Sequence, residues 1–353
     1  MINVSKSSEK YEIQQDYEWN YENVPSANLG IPPSIVPLPG DWTYAGLPVA
    51  SPLAVAAGPL LNSRWIEYYS KRGFDILTYK TVRRCARVSY DLPNLVPVDS
   101  KPINQPGKTI PATTQMTGSW AVSFGMPSRE PSIWRQDVTK ARQCLGQGQI
   151  LSVSVVATPE VNDDLATISE DYATCAKWAF ESGADVVELN FSCPNVSSRD
   201  GMLYSQPTAS REILQRVRDV VCDRPLLVKL GYISDQDLAE NWIGFAEGLV
   251  QGLVMINCIG AKVQASDGTE LWDGSSRGIA GTAISGAVHS QVELFQSLIQ
   301  ERQSNLKTIA VGGISKSSEV SDYLQMGVES VQIATAAMRD PNWAVKVRTD
   351  LRS

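Results

Sequence analysis

A closed barrel of eight parallel strands, each followed by a helix, is the fold that this 353-residue sequence predicts. Three observations lead to it. Eight short apolar runs rich in Val, Ile and Leu recur between residues 53 and 336. Stretches whose apolar residues return every three or four positions separate them. The polar residues least suited to a buried strand gather at the C-terminal ends of the runs. Near-continuous apolar strands alternating with helices are parallel and covered on both faces, and eight such units make a (β/α)8 TIM barrel. The competing arrangement is an open doubly wound sheet, but no GxGxxG follows the first strand.

Taken in order, residues 1–50 form a first segment, acidic and aromatic at the start and then GIPPSIVPLPGDW. Its prolines block helices and central-strand ladders, so an extended arm is predicted before a barrel domain over 51–353. LAVAAG (53–58) and DILTYKTV (75–82) are the first two strands, and a long connection, 83–131, follows. ILSVSVVA (150–157) and DVVELNFS (185–192) come third and fourth, joined by the helical pattern DDLATISEDYATCAKWAFESG, which SGAD stops. TASREILQRVRDVVC leads into PLLVKLG (225–231), and LVMINCIG (253–260) is the sixth strand. A second long connection, 261–283, precedes TIAVGGI (308–314) and SVQIATA (330–336). Connections of this length act as lids or binding elements.

Composition narrows the function. A net charge of −7 argues against a broad nucleic-acid surface. No apolar run reaches the roughly 18 residues that span a bilayer, and MINVSKSSEKYEIQQDYEWNYENV lacks the marks of a signal or transit peptide. No membrane association is expected, and the cytoplasm is the expected compartment. The six cysteines contain no CxxC pair, which removes zinc-ribbon and iron–sulfur spacings. The single histidine, His289, lies in a helical pattern and reads as structural, so no metal site is expected.

Active-site groups of such barrels sit at the C-terminal strand ends. Lys80 ends the second strand here, Asn190 and Cys193 the fourth, and Asn257 the sixth. Lys229 interrupts the apolar run of the fifth. A lysine inside a barrel strand is unfavourable unless an anion or a hydrogen-bonding partner meets it, so Lys80 and Lys229 point to an anionic or electron-rich cofactor. Gly312–Gly313 after the seventh strand and Ala334–Thr335 after the eighth suit a phosphate cradle, in which bare backbone N–H groups do the binding.

These motifs, LAVAAG, YKTV, ELNFSCPN, LVKLG, INCIG, AVGGIS and QIATA, stand in the order and spacing of the dihydroorotate dehydrogenase family, which the chain resembles over residues 48–340. DGTELW and GIAGTAI also resemble the flavin barrel of dihydropyrimidine dehydrogenases. The resemblance implies FMN across the barrel mouth. It implies that Ala56, Ala57, Gly58 and Gly281 line the flavin, and that Lys80 and Thr81 touch the ring and the substrate side. It places Lys229 at the N1–O2 edge, with Gly312, Gly313, Ala334 and Thr335 on the phosphate. Asn190, Asn195, Asn257 and Cys258 would hold a cyclic substrate, whose alternating donors and acceptors suit asparagine amides. Oxidising C–C to C=C removes a hydride and a proton. With one histidine in the chain, Cys193 is the candidate for the proton, since a thiol titrates near 8.5. Cysteine here resembles the soluble branch of the family, which implies a homodimer; the electron acceptor would be a soluble oxidant or a partner chain.

The stretch SWAVSFGMPS departs from the family's substrate loop, with Val122 and Ser128 where asparagines are expected. Dihydroorotate remains the leading substrate, and another cyclic amide or enone the alternative. A non-catalytic flavin protein and a flavin-free phosphate-binding barrel are further alternatives. A tRNA-dihydrouridine synthase would need a basic face that this chain lacks.

Overall fold

The computed structural model describes residues 10–32, 34–160, 162–192 and 203–352. The chain opens with a helix, Tyr17–Glu22, and a hairpin of β1 (Trp42–Tyr44) and β2 (Leu47–Val49). Then come β3 (Leu53–Val55), β4 (Ile76–Val82), β5 (Leu95–Val98), β6 (Thr109–Pro111) and β7 (Ser119–Val122). Next are β8 (Ile150–Val155), β9 (Val186–Asn190), β10 (Leu226–Lys229) and β11 (Gly252–Met255). The last are β12 (Ile259–Gln264), β13 (Arg277–Gly281), β14 (Lys307–Val311) and β15 (Ser330–Ile333).

Eight of these strands, β3, β4, β8, β9, β10, β11, β14 and β15, close into a parallel barrel in chain order, and β15 returns to pair with β3. Each lies inside one of the eight apolar runs or within a residue of it. Helices cover the outside, and their starts follow the local chemistry. The side chains of Asn62, Asp164 and Asp235 accept backbone N–H bonds at three helix starts. Pro131 and Pro207 occupy first helical positions, where the missing N–H does no harm.

Two elements differ from the sequence expectation. The arm is not extended throughout: the proline-free stretch Tyr17–Glu22 is a helix capped by Asp16, and residues 42–49 turn back as the β1–β2 hairpin. Its Tyr44, Ala45 and Val49 pack with Ala54, Ile76, Ile150, Val186, Leu227, Val254 and Ile309, the barrel's inner residues, and so close the end where the strands begin. The long connections are also more than loops. They carry a second sheet of five strands in the order β5-β7-β13-β12-β6, built from both insertions. β7 pairs antiparallel with β13, Val122 opposite Gly278, and with β5 on its other side, Val122 opposite Leu95. Among the described residues no helix is long and apolar enough to cross a membrane.

Candidate active site

Strand side chains alternate faces, and this parity determines what enters the barrel. On β9 the inner set is Val186, Glu188 and Asn190; on β10 it is Leu227 and Lys229. The lower members are apolar and meet the hairpin. The upper members line a cavity of about 370 Å³ between the C-terminal strand ends and the five-stranded sheet, within the size range of small-molecule and cofactor sites.

Sequence-predicted residues converge here. Ala56, Ala57 and Gly58 follow β3, Lys80 and Thr81 end β4, and Asn257 and Cys258 follow β11; all line the cavity. So do Val122, Asn190, Lys229, Gly281, Gly312, Gly313, Ala334 and Thr335. Cys193 and Asn195 lie outside the described residues. Ser128 takes no part in the wall. It is buried, its Oγ accepting from Arg83 N at 3.1 Å and donating to Arg129 O at 3.0 Å, so its short hydroxyl serves the loop backbone. His289 is exposed on the helix Ser285–Glu301, away from the cavity wall.

The polar side chains are held in place. Asn190 Oδ1 accepts from Ser192 N at 3.2 Å, and its Nδ2 reaches Thr81 Oγ1 at 3.5 Å and the Met126 sulfur at 3.7 Å. Thr81 and Ser154 share a hydrogen bond of 3.0 Å. Asn257 Nδ2 donates to Ser192 O. Lys229 is 5% exposed and stands beside Asn190 in register. Its Nζ lies 3.8 Å from Glu188 Oε1, an oxygen with no hydrogen bond among the described residues.

Glu188, wholly buried, was not foreseen from the sequence, although its place two residues before Asn190 puts it on the same inner face. Its Oε2 accepts from Gln332 Nε2 at 3.3 Å, and Gln332 also donates to Tyr44 Oη at 3.0 Å. Burial first, and the Glu188 charge second, push the Tyr44 phenol well above its ordinary range. Leu95, Trp120, Phe124 and Met126 are further wall residues that periodicity alone left in a loop.

Two glycines are required by close approach. A Cβ on Gly313 (φ 74°) would lie 2.7 Å from Ser285 Cα, and one on Gly281 (φ 95°) would lie 2.1 Å from Gly118 O. The first leaves bare backbone at the β14 end of the cavity, and the second joins the sheet's strands closely over it.

The fold and cavity define a (β/α)8 barrel with a ligand-sized cavity at its C-terminal mouth, under an inserted sheet. Residues 41–353 match the sequence model of the family described as dihydroorotate dehydrogenase. The chain is 31% identical to the dihydroorotate dehydrogenase of Dictyostelium discoideum, across 95% of each chain. It is 23% identical to the catalytic subunit of dihydroorotate dehydrogenase B (NAD(+)) of Staphylococcus carnosus, over 84% of this chain and 86% of the other. The ligand-free crystal structure of the DHODH of Eimeria tenella superposes with a TM-score of 0.72 at 15% identity, over 95% of this chain and 91% of that one. The chain therefore belongs to the dihydroorotate dehydrogenase family, and is an oxidoreductase of that type, acting on CH–CH groups.

Proposed function

We propose that the protein binds one FMN in this cavity and dehydrogenates a CH–CH bond of a dihydropyrimidine-like cyclic amide. The observation that carries the reading is the donor set around the barrel mouth. Lys80, Lys229, Asn190 and Asn257 line one cavity, to which Gly312–Gly313 add bare backbone. This set fits a planar, electron-rich ring with a phosphate tail. Bound flavin accepts a hydride and becomes negatively charged. The Lys229 ammonium, fixed in the cavity wall, would stabilise such charge and lower the barrier without reorganising. Lys80 and Thr81 would meet the ring, Ala56 to Gly58 and Gly281 would flank it, and Gly312, Gly313, Ala334 and Thr335 would hold the phosphate through backbone N–H groups.

Asn190, Asn195, Asn257 and Cys258 orient the substrate amides, each carboxamide supplying a donor and an acceptor without a charge to desolvate. Cys193 takes the proton from the carbon next to the hydride donor. A soluble oxidant or partner chain would serve as electron acceptor; relatives in the family are named for NAD(+) and for fumarate. Residues 51–353 form the FMN-binding unit, with residues 1–50 as an appended arm. A family member acting on another cyclic amide or enone is the second reading, favoured by Val122 in the cavity wall.

The purified protein should be yellow, with acid-released FMN stoichiometric with chain. Cys193→Ala should keep FMN and slow substrate-driven flavin reduction by about 10²–10⁴, the usual contribution of general acid–base catalysis. Stoichiometric FAD, or no flavin after reconstitution, would refute the cofactor; an unchanged rate and pH profile in Cys193→Ala would remove the thiol from the reaction.

A further inference from the structure

We propose that the ring dehydrogenated by this protein lies with its carbon-6 substituent against the inserted sheet, and that this substituent is an alkyl or aryl group in place of the carboxylate of dihydroorotate. The proposal rests on the reading above, that a cyclic amide lies in this cavity.

The cavity has two unlike walls. The barrel supplies the cations that line it among the described residues, Lys80, Lys229, Lys316 and Arg339. The sheet and the loop that continues β7 supply carbon and sulfur. Trp120 and Val122 alternate on β7, so both face the cavity; Leu95 stands opposite Val122 on β5, and Phe124 and Met126 continue the surface.

The sheet's polar groups are already engaged. Arg277 on β13 donates from Nε to Ser123 Oγ at 2.7 Å, and its guanidinium lies 5.6 Å from the Tyr90 ring centre and 5.4 Å from that of Trp272. The cation that could have met a carboxylate is thus held by a serine and two rings, outside the cavity wall. Thr117 and Thr282, which do line the cavity, share hydrogen bonds with Ser100 and Ser119 at 3.0 and 3.2 Å.

A carboxylate pressed against such a wall loses its hydration and gains no partner. An alkyl or aryl group there removes apolar surface from water on both sides of the contact. The chemistry of the ring is unaffected by this choice. A hydride leaves one ring carbon for the flavin, a proton leaves its neighbour for the base, the C–C bond becomes C=C, and the substituent stays in place.

The test uses the FMN-loaded protein and uracils that differ only at carbon 6, bearing carboxylate (orotate), methyl or phenyl. Dissociation constants are read from the flavin absorbance, and the 5,6-dihydro forms are then compared as flavin reductants under anaerobic conditions. The methyl or phenyl ring should bind at least about tenfold more tightly than orotate, and its dihydro form should reduce the flavin with the higher specificity constant. Val122→Asn should narrow that gap by about fivefold or more. Met126→Gln provides a second variant of the same wall if Val122→Asn does not fold. Orotate binding as tightly as both other rings in the wild type overturns the proposal, as does a gap unchanged in both variants. An FMN-loaded protein whose flavin responds to none of these rings, oxidised or reduced, overturns the cyclic-amide reading itself.

Discussion

Lys229 and Glu188 show how one residue sets the worth of another. The ammonium stabilises negative charge in the cavity, and the carboxylate 3.8 Å away opposes it. Both are buried, so water screens neither effectively. Glu188→Gln should raise the midpoint potential of bound flavin, on the order of 30 mV for each decade of two-electron equilibrium gained. Lys229→Met should lower it, and should also destabilise the FMN-free protein by leaving Glu188 as a lone buried charge. Glu188→Gln combined with Lys229→Met removes that charge and should recover much of the lost stability. Equal potentials in wild type and Glu188→Gln, measured by equilibrium dye reduction, would show that the carboxylate has no electrostatic hold on the site.

Among the elements, β14 and its glycine turn tie the barrel to the part of the cavity proposed to take the phosphate. Gly313 has a positive φ and no room for a Cβ beside Ser285. Gly313→Ala must move that backbone, and with it the N–H groups assigned to phosphate. FMN affinity should fall at least about tenfold, the equivalent of one charge-assisted hydrogen bond. Riboflavin, which has no phosphate, should bind variant and wild type alike. Fluorescence-quenching titrations of the two flavins decide it; equal losses for both would place the defect in the ring site. The inserted sheet is the other defining element. Its strands are three to six residues long, and the pairs β7–β13 and β6–β12 join the two insertions into one sheet.

Across the whole molecule, the helix Trp343–Asp350 and the arm meet beside the start of the barrel. Arg348, on the helix Trp343–Asp350, is 2% exposed. It donates to Gly73 O at 2.8 Å, Val36 O at 3.0 Å and Ser51 Oγ at 2.6 Å, and pairs with Asp75. One side chain thus joins the last helix, the residue before β4 and the arm. Arg348→Met should cost about 3–5 kcal/mol in denaturant unfolding, because Asp75 is left buried without its cation. Adding Asp75→Asn should restore part of that loss. If Arg348→Met unfolds at the wild-type denaturant concentration, the pair is not what holds the ends.

The sequence by itself determined the number and order of the barrel strands, because an apolar run and its flanking helix are local signals; most runs reach a few residues past the strand ends. Polar residues at strand ends or inside an apolar run singled out Lys80, Asn190 and Lys229, and all three line the cavity. The tertiary structure decided what no local pattern carries. Residues 83–131 and 261–283 read as loops because their strands are short and find partners far away in sequence, β7 beside β13. Only that pairing turns Leu95, Trp120 and Val122 into one wall. Glu188 was likewise legible as an inner residue, but its proximity to Lys229 arises from the register of β9 against β10. Spacing along a chain fixes which way a side chain points; which groups it meets there depends on how distant segments pair.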